Sequence, residues 1–364
     1  MEEPRFEPDR VVNLADFERL AREQLETGAF DYICGGAGDE LTLADNEAGW
    51  RRWRLRPRVL VDVSGVDPST RLLGSEAALP VGAAPMAFQH LAHVQAELAT
   101  ARAVARAGLP YCLSTMSSRT LEEVAQAASA AGTGPRWFQL YVHRDRQRSA
   151  ELVLRAQAAG FGAIVLTADF PVAGMRERDA RNRLPYPQAY GNFELEAAAG
   201  THEGLLPVVI GGLNDASLSW TDLAWLRDLT SLPIVVKGIL TAEDAALAVE
   251  HGAAAVWVSN HGGRQLDRTP ATADVLAEVV QAVAERAEIY VDGGIRRGVD
   301  VLTALALGAR AAFIGRPLGY ALAAGGEAGV GRALELLGRE LRTDMALLGV
   351  RRLSELGFGH VVRG

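Results

Sequence analysis

The chain has 364 residues, is 49% hydrophobic and 23% charged, and carries a formal net charge of −8. That apolar share excludes wholesale disorder, and the acidic balance excludes a protein that coats nucleic acid. Two cysteines, Cys34 and Cys112, make no disulfide framework, and no apolar run nears the roughly 18 residues that span a bilayer, so a soluble, cytoplasmic protein without stable membrane insertion is expected.

In chain order, MEEPRFEPDR lacks the basic and apolar regions of a secretory signal. A helix is expected near 13–27, within an N-terminal helical and β-hairpin extension covering 1–78. In it, the five arginines between Arg51 and Arg58 read as a solvated strand face. From about residue 80, eight short apolar runs recur: 79–87, 109–114, 136–141, 163–169, 232–238, 254–260, 288–294 and 311–315. They are continuous rather than alternating, as parallel strands buried on both faces should be. Between them lie segments such as 95–108 and 242–252, where Ala, Leu and Val recur at helical spacing and a glycine closes the turn. Eight strand–helix units in this order predict an α/β fold, a (β/α)8 TIM barrel over a single domain of 1–364. The first turn, GAAPMA, lacks the glycine spacing of a doubly wound dinucleotide fold. Residues 184–218, rich in Pro, Tyr and Gly after the fourth strand, are too long for an ordinary loop and read as an active-site lid.

In a barrel, polar residues at the C-terminal strand ends read as functional. The strand ends here carry Met86-Ala87, Ser114-Thr115, Gln139 with Tyr141, Thr167 with Asp169, Lys237, Ser259-Asn260-His261, Asp292-Gly293-Gly294 and Gly315-Arg316. Single polar residues there often only cap helices; hydrogen-bonding groups at nearly every strand end point to one convergent site. VDGGIRRG (291–298) and FIGRP (313–317) put freed backbone N–H groups, helix N-termini and the charges of Arg296 and Arg316 after the last two strands. That is the place and chemistry of a phosphate site. In SNHGGRQLD (259–267), His261 is a suitable general base near neutral pH and Arg264 can clamp a carboxylate with paired hydrogen bonds. Of 37 basic residues 36 are arginine, and the single lysine, Lys237, ends the fifth strand. A compact ammonium there suits a Schiff base or a charge beside a developing anion.

SNHGGRQLD, VDGGIRRG with FIGRP, FQLYV, LPIVVKG and GGAGDELTLADNEAGW together resemble the FMN-dependent 2-hydroxy-acid oxidase and dehydrogenase family, from about residue 13 to 355. The resemblance implies an FMN enzyme that oxidises an L-2-hydroxy acid to the 2-oxo acid. It makes His261 the base and Arg264 and Arg176 the carboxylate clamp, with Tyr32 and Tyr141 bonded to substrate. Lys237 would face the N1/C2-carbonyl edge of the flavin. Ala84, Pro85, Met86, Ala87, Ser114, Gln139, Thr167 and Ser259 would touch the isoalloxazine. Asp292 and Gly293 would lie at the ribityl chain, and Gly294, Arg296, Gly315 and Arg316 at the phosphate. Asp169 is expected to pair with the imidazolium of His261. The resemblance also implies a homo-oligomer, commonly a tetramer.

Met116 stands where glycolate oxidases carry Trp, and Ala173 where they carry Leu, so a lactate-like, longer aliphatic or aryl substrate is expected rather than glycolate alone. O2 is the expected acceptor, giving hydrogen peroxide; the alternative is a quinone-linked dehydrogenase. A flavin-dependent isomerase on the same barrel would keep the phosphate motifs but would not need both Arg176 and Arg264. His90 and His93 lack a third ligand at metal spacing, so no metal is expected.

Overall fold

A computed structural model of the chain describes residues 6–183, 191–192 and 214–364. Eight parallel strands close into a barrel: β1 (Val81–Ala83), β2 (Tyr111–Leu113), β3 (Arg136–Leu140), β4 (Ala163–Thr167), β5 (Ile234–Ile239), β6 (Ala255–Val258), β7 (Glu288–Val291) and β8 (Ala311–Ile314). Each coincides with one of the eight apolar runs, and β8 pairs with β1 to close the ring.

The pleat decides what points inward. Trp137, Val165, Val235, Trp257, Tyr290 and Phe313 form one buried cluster inside the barrel, while Phe138, Leu140, Ile164, Leu166, Val256 and Val258 belong to the cluster under the surrounding helices. Two residues beyond Trp137, Val165 and Val235 on the same face stand Gln139, Thr167 and Lys237. The aromatic plug fills the barrel's middle, and these three polar side chains crown it. Thr167 and Lys237 are register partners across β4 and β5, so a hydroxyl and an ammonium sit side by side at the mouth.

The N-terminal extension closes the other end. A hairpin, Thr70–Leu72 with Ser75–Ala77, sends Leu72 and Ala77 into the interior cluster. The helix expected near 13–27 ends at Gln24, where Leu25 turns extended; a second helix, Thr27–Cys34, carries Tyr32. Asn13 caps the first with a capping box onto Asp16, and its Leu14, Phe17 and Ala21 bury against the long C-terminal helical segment Arg316–Leu348. That segment is two helices broken at Gly325-Gly326. Trp53–Leu55, in the arginine-rich stretch, pairs with Val361–Arg363, and Arg52 within it bonds Asp45 at 2.7 Å.

Most of the lid expected at 184–218 lies outside the described residues. Its described points are tied to strand-end loops: Asn192 accepts from Leu121 N at 2.9 Å and donates to Thr115 O at 3.1 Å, and Asn214 donates to Phe170 O at 3.1 Å. Among the described residues no helix is long and apolar enough to cross a membrane.

Candidate active site

One cavity opens at the C-terminal mouth of the barrel, with about 1240 Å3 of empty space, its opening to solvent included. Every strand contributes to it. Ala84, Pro85, Met86 and Ala87 come from the loop after β1, Ser114 and Met116 from that after β2, and Tyr141 from that after β3. Thr167 ends β4, Arg176 lies beyond it, Lys237 is in β5, and His261 and Arg264 follow β6. Asp292, Gly293, Gly294 and Arg296 follow β7, Gly315 and Arg316 follow β8, and Tyr32 reaches in from the extension. Three expected site residues, Gln139, Ser259 and Asp169, do not line this cavity; each stands one bond behind a residue that does.

His261 is the best defined of these groups. Asp169 Oδ1 lies 2.9 Å from its Nδ1, and the Tyr141 hydroxyl lies 3.2 Å from its Nε2. An ionised Asp169 can only accept, so Nδ1 carries the proton and Nε2 presents its lone pair toward Tyr141 and the cavity. Burial pulls the His261 pKa below the ordinary 6.5, helped by the charges of Lys237 and Arg176, while Asp169 pulls the other way. Burial pushes Asp169 up, but His261 and Lys237 outweigh it, and its carboxyl ends below the usual range. His261 sits at φ 57, a left-handed backbone unusual for a non-glycine residue, and two glycines follow it. At Gly263 a Cβ would stand 2.6 Å from the backbone nitrogen of Leu43, so only glycine lets this turn pass the extension.

Replacing Asp169 by asparagine removes the group that orients the ring and stabilises its protonated form. The expected result is a loss of about 100-fold in the rate of flavin reduction. The acid limb of the pH profile should also move to lower pH, because the negative charge that raises the His261 pKa is gone. Stopped-flow reduction measured across pH checks both; an unchanged rate and limb would contradict the assignment.

Lys237 is 4% exposed. Its Nζ donates to Ser259 Oγ at 2.9 Å and lies 3.5 Å from Asp292 Oδ2. Ser259 Oγ in turn donates to Asp292 Oδ1 at 2.7 Å and accepts the backbone N–H of His261 at 3.1 Å. Burial works against the ammonium, but Asp292 and Asp169 more than compensate, and the Lys237 pKa ends above its usual value. Lys237 is therefore a fixed cation at neutral pH.

Two guanidinium groups face the same space. Arg264 Nη1 donates to the carbonyls of Tyr32 at 2.7 Å and Gly35 at 3.0 Å, and its guanidinium lies 4.9 Å from the Tyr32 ring centre. Arg176 is nearly buried, 3.6 Å from Asp179, and its Nε has no hydrogen-bond partner among the described residues. Burial, then the charge of Arg264, brings Arg176 down to about 10, which leaves it cationic at neutral pH. Two neighbouring cations with unfilled donors suit a carboxylate.

The remaining wall, with Gln139 directly behind it, fits a flavin mononucleotide. Gln139 Nε2 and Thr167 Oγ1 are buried without a hydrogen-bond partner among the described residues, as groups awaiting a polar ring edge would be. Ser114 Oγ bonds Gln139 Oε1 at 3.3 Å, which fixes the amide with its NH2 end free. At the phosphate end Gly294, at φ 77, packs on Asn46, whose carbonyl oxygen a Cβ would meet at 2.0 Å. Arg316 is a partial departure from expectation. Its Nε donates to the Ile33 and Cys34 carbonyls, and its terminal nitrogens donate to Gly262 O at 2.8 Å and Gly35 O at 2.7 Å. Besides facing the cavity, it clips the extension to the loop after β6. Arg296 likewise bonds Glu47 at 2.7 Å.

The FMN-dependent dehydrogenase family matches residues 21–363. The chain belongs to that family. An FMN-dependent dehydrogenase of this kind is an oxidoreductase whose cofactor is FMN, which accounts for the open amide, hydroxyl and glycine-lined end of the cavity. The chain is 49% identical to the L-lactate oxidase of Nostoc sp. (strain PCC 7120 / SAG 25.82 / UTEX 2576), covering 95% of this chain and 96% of that one. It is 47% identical to the glycolate oxidase of Spinacia oleracea, covering 96% and 95%. A crystal structure of mandelate oxidase with (S)-4-hydroxymandelic acid superposes with a TM-score of 0.90 at 43% identity, over 95% of this chain and 97% of that one.

The cavity residues not expected from the sequence include two large apolar ones. Phe170 and Phe88 line the cavity with Tyr32 and Met116, and the Phe170 ring centre lies 5.7 Å from that of His261. Phe170 directly follows Asp169 and Phe88 directly follows Ala87, so adjacency to residues already expected at the site was the available signal.

Proposed function

We propose that this FMN-dependent dehydrogenase oxidises an (S)-2-hydroxy acid to the 2-oxo acid and passes the electrons to O2, forming hydrogen peroxide. The carrying observation is the unprotonated Nε2 of His261, held by Asp169 on its far nitrogen and bonded to the Tyr141 hydroxyl, in the same cavity as Arg176 and Arg264. A 2-hydroxy acid offers one carboxylate to the arginine pair and one carbinol to the imidazole, with Tyr141 positioned to hydrogen-bond the hydroxyl. Bound FMN supplies the two-electron acceptor. The chain itself takes up the proton at His261 Nε2, from the hydroxyl if the α-hydrogen leaves as hydride, or from the α-carbon if it leaves as a proton. Asp169 stabilises the imidazolium so formed, and Lys237 would supply a fixed positive charge to the bound flavin as it takes up electrons. A flavin-dependent isomerase would leave the arginine pair without a role.

The substrate's side chain meets Tyr32, Phe88, Met116 and Phe170, a buried apolar cluster with Ala87 and Ala173 packed beside it. Methionine yields to shape where tryptophan would not, so the site accepts lactate, longer aliphatic acids and an aryl acid such as mandelate. Met116→Trp is expected to lower kcat/KM for (S)-mandelate by about 10- to 100-fold while glycolate turnover changes far less. Equal losses on both acids would refute the assignment of Met116 to the side-chain wall.

Residues 1–364 act as one FMN-binding unit, cytoplasmic and assembled as a homo-oligomer. Val59 and Leu60, 82% and 103% exposed, are the kind of apolar surface that a subunit contact covers. Oxygen uptake with stoichiometric peroxide and 2-oxo acid tests the activity; turnover seen only with an added quinone would replace O2 by the quinone-linked alternative.

A further inference from the structure

We propose that the buried carboxylate of Glu97 sets which 2-hydroxy acids this site accepts, by locking the loop that presents Phe88 against Met116. The inference rests on the activity proposed above and names a residue that does not touch substrate.

Phe88 lines the cavity with its ring 5.8 Å from that of Tyr32. Its backbone is left-handed, φ 56, and its N–H donates to the carbonyl of Met116 at 3.2 Å. A bulky residue keeps such a backbone only where its surroundings over-determine it. The surroundings here are polar and buried. Glu97, 0% exposed near the start of helix Ala96–Arg106, accepts three hydrogen bonds on one oxygen, Oε1. They come from Gln89 N at 3.2 Å, Ser118 N at 2.9 Å and Ser118 Oγ at 3.2 Å. Gln89 is the neighbour of Phe88 in the loop after β1, and Ser118 lies two residues beyond Met116 in the loop after β2.

The far side of the same loop is fixed as well. The Gln89 side chain accepts from Thr100 Oγ1 at 2.6 Å and donates to Tyr111 OH at 3.2 Å, and Gln89, Glu97, Thr100 and Tyr111 are all buried. One carboxylate oxygen thus holds the two loops whose side chains, Phe88 and Met116, face each other across the substrate's side-chain space. Losing it leaves the Gln89 N–H and the half-buried Ser118 N–H without their acceptor, and the loops must part to find water. Glu97 is a positioning residue. Its effect belongs to the shape of the wall, so it should discriminate among substrates rather than slow the chemistry of all of them.

The test compares (S)-lactate with (S)-mandelate in steady-state assays of the FMN-loaded enzyme. Glu97→Ala is expected to shift the ratio of kcat/KM values about tenfold in favour of mandelate, with bound FMN per chain unchanged. Glu97→Gln keeps the accepting oxygen and should hold the ratio within about twofold of wild type. Ser118→Ala, which removes the hydroxyl's bond to Glu97 and its bonds to His90 N at 3.2 Å and Nδ1 at 2.8 Å but keeps the backbone donors, should shift the ratio in the same direction by less, and it reads the network even where Glu97→Ala does not fold. Equal losses on both acids, or an unmoved ratio in Ser118→Ala and Glu97→Ala alike, would overturn the inference while leaving the activity standing. Wild-type turnover of neither acid would refute the activity and this inference together.

Discussion

Replacing His261 by glutamine is expected to slow reduction of the bound flavin by about 1000-fold or more, with FMN still bound. The size follows from what the ring alone supplies. Nε2 is the one neutral nitrogen base in the described cavity wall; the other nitrogen groups there, Lys237, Arg176, Arg264, Arg296 and Arg316, are cations. Glutamine can mimic a hydrogen bond but cannot take up a proton at neutral pH. The pH profile adds a second expectation. Because burial holds the His261 pKa below 6.5, the base stays unprotonated as pH falls through 6.5, and activity is lost only lower, through the folded-state value. In His261→Gln that acid limb should vanish. Stopped-flow reduction at several pH values measures rate and limb together; a loss of less than about tenfold would remove His261 from the role of base.

The second large effect is expected at Lys237. Lys237→Arg keeps the charge and changes its shape, and reduction should slow by about 100-fold. The ammonium fits a closed space: Ser259 Oγ at 2.9 Å, Asp292 at 3.5 Å and the Trp257 ring centre at 5.9 Å. A guanidinium cannot make the same bond to Ser259 without pushing on the aromatic plug below or moving outward into the cofactor's space. Because Ser259 also accepts the N–H of His261, displacing it disturbs the base as well. Rapid-mixing reduction of the FMN-loaded variant decides the matter. Near-normal reduction would return the lone lysine to an accident of composition.

The barrel was legible because parallel strands covered on both faces read as continuous apolar runs, and all eight runs became strands. The crown of the site was legible for a related reason. Gln139, Thr167 and Lys237 break apolar runs at inward positions of the pleat, where a polar side chain has no packing purpose. Asp169 was visible as a strand-end carboxylate, although it stands behind His261 rather than in the cavity wall. The end of the first helix was placed about three residues late, because the break is made by Leu25 turning extended, which the apolar spacing does not record. The second task of Arg316, bonding backbone carbonyls of the extension, depends on a contact across some 280 residues that no local pattern records. Glu97 was hidden for the opposite reason. An acidic residue in the first turn of a helix is explained by the helix dipole alone, and nothing local marks it as buried between two loops.

In the proposed activity the His261–Asp169 pair and the two arginines hold and deprotonate a 2-hydroxy acid while bound FMN accepts the electrons. Anaerobic mixing of the FMN-loaded enzyme with (S)-lactate, (S)-mandelate and glycolate, followed on the yellow flavin absorbance, tests it most directly. The account predicts bleaching by at least one of these acids, followed by return of the colour with peroxide when air is admitted. A flavin that stays yellow with every one of them would contradict it.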